Sequence, residues 1–73
     1  MSDPVYIVAL DIGTTKIACI VGEKMPNGKI EIRGYGKTES TGVKRGMVVD
    51  IEETVDAIRN AVAQASEQSK VDI

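Results

Sequence analysis

The chain has 73 residues, a formal net charge of −2 and no tryptophan or phenylalanine. A chain of this size forms at most one domain and buries only about 60% of the surface that its unfolded form exposes, so its stability is marginal. Its basic residues are scattered rather than clustered, which argues against a nucleic-acid partner. The polar N-terminus and the lack of a long apolar stretch argue against a signal peptide or a membrane span within the sequence.

The first two predicted strands enclose a short polar turn. Residues 5–12 form a nearly continuous β-rich apolar run that only Asp11 interrupts, which is typical of a strand covered on both faces. Residues 13–15 supply the turn, and residues 16–23 form a second strand with two largely apolar faces. The single cysteine, Cys19, lies in this strand, so we expect a buried, reduced thiol in the cytoplasm.

A third strand follows the turn at residues 26–28, whose Pro-Asn-Gly sequence favours a tight hairpin. Residues 30–37 alternate between apolar and polar side chains, so we expect one wet face. The inward residues are predicted to be Ile30 and Ile32, and the outward ones Glu31, Arg33 and Tyr35. The first half of the chain is therefore predicted to be a three-stranded antiparallel meander.

A helix is predicted to begin after Asp50, following an irregular connection over residues 38–49 that contains Gly42 and Gly46. The Asp50 carboxylate can cap the first turn while Glu53 reaches back, and acidic residues suit the positive end of the helix dipole. An apolar stripe then follows at helical spacing, formed by Ile51, Val55, Ile58, Val62 and Ala65. We expect this stripe to pack on the sheet rather than to bind a partner.

The chemistry is concentrated in Asp11-Ile-Gly-Thr-Thr-Lys16. A carboxylate at the end of a doubly covered strand costs several kcal/mol unless it is hydrogen-bonded, paired or close to a cation. A Mg²⁺ ion that keeps most of its waters would meet that need. Asp11 is therefore the candidate metal residue, acting through water.

The rest of this loop has the parts of a phosphate site. Gly13 lets the backbone approach an anion, and the N–H groups of Gly13, Thr14 and Thr15 can converge as an anion-binding nest. Lys16 adds a compact positive charge suited to phosphate oxygens. The residues alone leave a second reading open, in which Gly-Thr-Thr is an ordinary hairpin turn whose N–H groups Asp11 binds.

The order of elements resembles the opening of the actin, Hsp70 and sugar-kinase superfamily, in which this loop is the first phosphate motif. Residues 9–23, together with the glycine-bearing stretch 40–46 and Asp50-Ile-Glu52, look most like the FtsA family of bacterial cell-division proteins. The resemblance covers nearly the whole chain. The nearest competitors are PilM-like pilus-assembly proteins, Hsp70-like chaperones and sugar kinases. A small interaction module with an unoccupied turn is the remaining alternative.

The resemblance implies an α/β fold class, here an α+β fragment that forms the incomplete first lobe of an actin-like, ribonuclease H-like ATPase domain. Residues 1–70 would belong to subdomain 1A, and residues 71–73 would enter an inserted SHS2-type subdomain. The apolar segment that starts at the end of the sequence indicates that the natural polypeptide continues.

The resemblance also implies a function for the full-length protein. That protein would bind ATP with Mg²⁺, be at most a weak ATPase, polymerise, tether the FtsZ ring to the inner membrane and recruit later division proteins. It would lie on the cytoplasmic face of that membrane at the division site, held by a region absent from this sequence. The contacts to phosphate would come from Gly13, Thr14, Thr15 and Lys16.

No residue matches a catalytic position of the superfamily, so the chain by itself is expected to be inactive and to bind nucleotide weakly or not at all. An incomplete sheet leaves an edge unpaired, which favours self-association between copies.

Overall fold

A computed structural model describes residues 3–40, 43–45, 47–48 and 50–73 of the chain. The elements in chain order are β1 (Val5–Ile12), β2 (Lys16–Lys24), β3 (Ile30–Glu39), β4 (Val43–Lys44), β5 (Met47–Val48) and α1 (Ile51–Ser69). Strands β1, β2 and β3 form a three-stranded antiparallel sheet in that order, and β4 pairs with β5. The predicted α+β meander with one packed helix is confirmed.

The connection between the sheet and the helix is more regular than predicted. Strand β3 continues to Glu39, and the two short strands β4 and β5 form a small hairpin within the stretch expected to be irregular. Gly42 and Gly46, on which that expectation rested, lie outside the described residues.

The turn between β2 and β3 has the geometry that Pro-Asn-Gly predicts. Gly28 has a φ of 85° and its N–H donates to the carbonyl of Met25 at 2.9 Å. The Asn27 Oδ1 atom accepts a hydrogen bond from the Lys29 amide at 2.9 Å. Glycine is required here because side chains disfavour this backbone conformation.

Helix α1 begins where the capping residue predicts. The Asp50 carboxylate accepts a hydrogen bond from the Glu53 amide at 3.0 Å, and Asp50 itself has an extended backbone. The Thr54 hydroxyl donates to the Asp50 carbonyl at 2.7 Å. The bond from Glu53 satisfies one of the backbone donors that the first turn of a helix leaves without an intrahelical partner.

The helix packs on the sheet through a seam of small residues. A Cβ atom added at Gly36 would overlap the backbone carbonyl of Ala61, and one added at Gly34 would overlap that of Ala65. The helix backbone therefore lies directly against β3, a separation that only glycine on the strand and small residues on the helix allow. Beside this seam, the fully buried side chains of β2 complete the core, namely Ile17, Cys19 and Val21.

The predicted sheet-facing stripe of the helix is wrong by about one residue. The buried helical residues are Thr54, Ala57, Ala61 and Ala65. Of the predicted stripe, Ala65 is buried and Ile58 and Val62 are partly buried against the core, but Ile51 is 73% exposed. The reason is that the helix backbone lies very close to the glycines of β3. Bulky side chains do not fit between the two backbones, so they lie beside the contact and not within it.

The predicted inward face of β3 is also wrong. Ile30 and Ile32 are 53% and 63% exposed, whereas Gly34 and Gly36 are buried. The β2–β3 pairing shifts by one residue between Val21 and Gly22, so that Ile32 pairs with Gly22 and Gly34 pairs with Val21. A one-residue shift moves side chains to the opposite face of a strand. Ile30 and Ile32 therefore lie on the face of the sheet away from the helix.

Strand β1 is an exposed edge strand in this structure, and the prediction that it is covered on both faces is wrong here. All of its residues are exposed, because α1 packs over β2 and β3. The apolar side chains of β1 consequently remain open to solvent on both sides.

The opposite edge of the sheet, on β3, is occupied by helix side chains. The Gln64 carboxamide accepts a hydrogen bond from the Lys37 amide at 3.1 Å and donates to the Lys37 carbonyl at 3.0 Å. The Gln68 carboxamide accepts from the Tyr35 amide at 3.1 Å. The two edges therefore differ, because side-chain amides bind the backbone groups of β3 that another strand would use.

The seam gives a direct test of the packing. Gly36→Ala is expected to destabilise the fold by about 3 kcal/mol, at the upper end of the cost of overpacking, because the new methyl group meets backbone rather than a movable side chain. Urea unfolding followed by circular dichroism measures the loss. Lys37→Ala, at the exposed neighbouring position, is the control and is expected to change the free energy of unfolding by less than about 0.5 kcal/mol. Equal effects of the two substitutions would contradict the seam.

Candidate functional site

The loop between β1 and β2 is a tight hairpin connection. The Gly13 amide donates a hydrogen bond to the Lys16 carbonyl at 2.9 Å, which leaves Thr14 and Thr15 at the tip. A Cβ atom added at Gly13 would lie 2.9 Å from that carbonyl oxygen. The closure of the turn therefore requires glycine at position 13. Any role of Gly13 in binding a ligand would be additional to this structural role.

This hydrogen bond reduces the number of backbone N–H groups that the predicted anion-binding nest can offer to a ligand. The Gly13 N–H group is already used inside the hairpin, whereas no hydrogen bond within the described residues involves the amides of Thr14 and Thr15. Both threonines and Lys16 are exposed. Two of the three predicted backbone donors are thus open to a ligand, and the hydroxyls of Thr14 and Thr15 lie at the same tip.

Asp11 and Lys16 lie on the same face of the sheet. Asp11 pairs with Ala18 across β1 and β2, and alternation along β2 puts Lys16 and Ala18 on one side. The helix packs on the other side, where Ile17 and Cys19 are buried. The predicted metal residue and the predicted phosphate lysine therefore share the open face of the sheet.

The argument that Asp11 needs a cation because it is buried is wrong for this structure. Asp11 is exposed, as is the rest of β1, so water solvates its carboxylate. Within the described ranges, no group of three or more His, Cys, Asp or Glu side chains is placed to hold a metal ion. A magnesium role for Asp11 stays a prediction, and it fits an ion that keeps its waters and is carried by a nucleotide.

Ser40 is a residue that the sequence reasoning did not assign to the site. Its amide donates to the Thr15 carbonyl at 2.8 Å, which ties the end of β3 to the loop. Ser40 is only 6% exposed. The strand register between β2 and β3 could have predicted this contact. Lys16 pairs with Glu39, so the next residue of β3, Ser40, lies beside Thr15.

Cys19 is a free, fully buried thiol in the core, as predicted. Burial raises the pKa of this thiol above its ordinary value of 9.0, because the apolar surroundings disfavour the thiolate. The residue therefore belongs to the packing of the sheet against the helix and not to the loop.

None of the helices in the described part of the chain has the length and apolar character that crossing a bilayer requires.

A three-stranded antiparallel meander with a packed helix and a Gly-Thr-Thr loop at its first turn is consistent with part of an actin-like lobe.

No protein-family model matches the chain. Curated proteins do match it. The cell division protein FtsA of Pseudomonas aeruginosa is 44% identical over 63 residues, which is 86% of this chain. The Enterococcus faecalis FtsA is 47% identical over 66 residues, or 90% of the chain.

The FtsA of Escherichia coli K12 is 41% identical over 64 residues, again most of this chain. The chain belongs to the FtsA family of cell-division proteins, and the resemblance noted in the sequence is confirmed. It spans about 15% of the length of each of these relatives.

The raised pKa of the buried Cys19 thiol predicts how the stability of the fold depends on pH. Because the pKa of Cys19 is higher in the folded chain than in the unfolded chain, unfolding is favoured once the pH is high enough to ionise the unfolded thiol. The Cys19 contribution should be constant below pH 9.0 and should destabilise the fold as the pH rises above it. Urea unfolding of wild type and Cys19→Ala, each between pH 7 and pH 10, measures the difference. A difference between the two proteins that does not change with pH would contradict burial of the thiol.

Proposed function

We propose that the β1–β2 loop binds the phosphates of ATP and that this chain forms one wall of the nucleotide cleft of an FtsA-type protein. Thr14 and Thr15 donate backbone and hydroxyl groups to phosphate oxygens, and Lys16 contributes its charge. Gly13 shapes the turn. Asp11 holds the nucleotide's Mg²⁺ through a water molecule.

One observation carries this proposal. Asp11 and Lys16 are on the same open face, on either side of a loop tip that presents two amides without a hydrogen bond in the described part of the chain. A bound phosphate needs several donors and a compensating charge within one short segment. An ordinary hairpin turn needs only the Gly13 bond, and it gives no reason for Lys16 and Asp11 to share a face.

The family supports the wider part of the proposal. The relatives are named as cell division proteins, and the proposed role of the full-length protein is to tether the FtsZ ring to the inner membrane and to recruit later division proteins. Polymerisation, the FtsZ contact and the membrane anchor are proposed from the resemblance to the family alone. PilM-like proteins, Hsp70-like chaperones and sugar kinases remain the alternatives for the activity, but the matches at 41–48% identity favour cell division.

The phosphate loop is testable in a chimaera in which this chain replaces the matching segment of the full-length Pseudomonas aeruginosa FtsA. Thr14→Ala combined with Lys16→Ala is expected to weaken MgATP binding by about 10- to 100-fold, because it removes a charged and a neutral donor to phosphate. Isothermal titration calorimetry measures the affinity. Lys24→Ala is the matched control, since Lys24 lies at the far end of the same strand. MgATP affinity unchanged by the double substitution would mean that the loop is an ordinary turn.

We propose, second, that copies of the isolated chain associate through the β1 edge. All eight residues of β1 are exposed, and the strand contains neither proline nor glycine and only one charge, Asp11. Natural sheets usually protect such an edge with charges, proline, a bulge or a covering segment. The β3 edge has that protection from Gln64 and Gln68, so β1 is the edge that accepts another strand.

Association through β1 predicts a species larger than the monomer in analytical ultracentrifugation of the 73-residue chain at high concentration. Ile7→Lys should shift the chain towards monomer, because a charge in the middle of the edge strand opposes pairing. Tyr35→Lys makes the same change on the capped edge and should leave the distribution as in wild type. A wild-type chain that sediments as a monomer at all concentrations would contradict the proposal.

A further inference from the structure

Every second residue of β1 points its backbone groups at the open edge of the sheet. The Gly13 amide donates to the Lys16 carbonyl, so these two residues form a hydrogen-bonded pair at the end of the hairpin. In an antiparallel ladder, such pairs alternate with pairs that have no hydrogen bond between them. The pairing of β1 with β2 has no shift along the whole strand. The N–H and C=O groups that point away from β2 therefore belong to Tyr6, Val8, Leu10 and Ile12.

These four residues also share one face of the sheet. Ile12 pairs with Ile17, whose side chain is buried against the helix. Residues directly opposite each other in an antiparallel pair have their side chains on the same side, and side chains alternate along a strand. The side chains of all four residues consequently lie on the helix side, where they are exposed. In the described part of the chain, no second strand pairs with their backbone groups.

We infer that two copies of the chain pair antiparallel through β1 with Ala9 on the twofold axis, an inference that rests on the proposed association through this edge. In this register Tyr6 faces Ile12 of the second copy and Val8 faces Leu10, and the twofold axis repeats both pairs. Every outward N–H and C=O group of the strand then has a backbone partner. On the helix side, the two apolar stripes become one continuous surface.

The alternative register nearer the N-terminus loses hydrogen bonds. In a symmetric pair, a residue faces one from the same side of the sheet, so even-numbered residues pair only with even-numbered ones. With Val8 on the axis, Ile12 would face Pro4, which has no N–H group to donate. One hydrogen bond is therefore lost at each end of the ladder.

The alternative register nearer the loop extends beyond the end of the strand. With Leu10 on the axis, Tyr6 would face Thr14, which lies at the tip of the turn and not in β1. With Ala9 on the axis, all of the outward residues pair within the strand. The two copies of Asp11, the only charge of β1, then lie about 13 Å apart along the strands, so they do not oppose pairing.

Disulfide cross-linking of single-cysteine variants in a Cys19→Ala background tests the register. Ala9→Cys places two thiols in a pair without hydrogen bonds, whose Cα atoms are about 4.5 Å apart and within disulfide range. Val8→Cys and Leu10→Cys are the matched controls, since each is offset by two residues from its own copy, with Cα atoms about 8 Å apart. With oxidised glutathione as oxidant, Ala9→Cys should form the covalent dimer at least about 10-fold faster than either control, because pairing holds its thiols at an effective concentration of about mM. Non-reducing gel electrophoresis measures the rate.

Amide hydrogen exchange of the wild-type chain, followed by NMR, is a second measurement that needs no substitution. Exchange should slow roughly 10-fold once about 90% of the chain is paired, because the paired amides exchange only from the monomer. The Thr14 amide, in the turn, is the control and should exchange at the same rate in dilute and concentrated protein. The amides expected to slow are those of Tyr6, Val8, Leu10 and Ile12.

Faster cross-linking of Val8→Cys or Leu10→Cys than of Ala9→Cys would overturn the register and leave the association through β1 standing. If Cys19→Ala prevents folding, amide exchange decides by itself, and a dimeric chain whose outward β1 amides are not slowed overturns the inference. A chain that sediments as a monomer at all concentrations would overturn both this inference and the proposed association.

Discussion

The contact of the helix backbone with two glycines of β3 determines how the rest of the chain is arranged. Because Gly34 and Gly36 have no side chains, α1 can lie directly on the strand, with Ala61 and Ala65 against it. That separation excludes large side chains from the seam. The core is therefore completed by β2, and the larger apolar residues of the helix lie at its flank, partly or largely in solvent.

The same contact links the fold to the loop. Strand β3 runs from the seam to Glu39, and Ser40 then holds the Thr15 carbonyl. The helix covers one face of the sheet, which leaves the other face, with Asp11 and Lys16, open. Strand β3 is therefore linked to the loop both by its pairing with β2, which ends at Lys16 and Glu39, and by the Ser40–Thr15 hydrogen bond.

Local features of the sequence were sufficient to predict the elements. The apolar runs of the strands, the Pro-Asn-Gly turn and the Asp50 cap each depend on a few neighbouring residues, and the presence of the strands, the turn and the cap was confirmed. The faces of the elements were harder to predict. Apolar spacing identified the stripe that begins at Ile51, but it contains no information on backbone separation, which is what selected the alanines. The register shift beside Gly22 and the exposure of Asp11 also depend on pairing and coverage beyond the local sequence.

The glutamine side chains on β3 have a consequence for the size of any assembly. Each copy has one edge that is closed by Gln64 and Gln68 and one edge, on β1, that is open. A sheet grows without limit only if every added unit presents a new open edge. Two copies joined through β1 would end in a capped β3 on both sides, so strand pairing would terminate at a closed dimer and not propagate into a fibre.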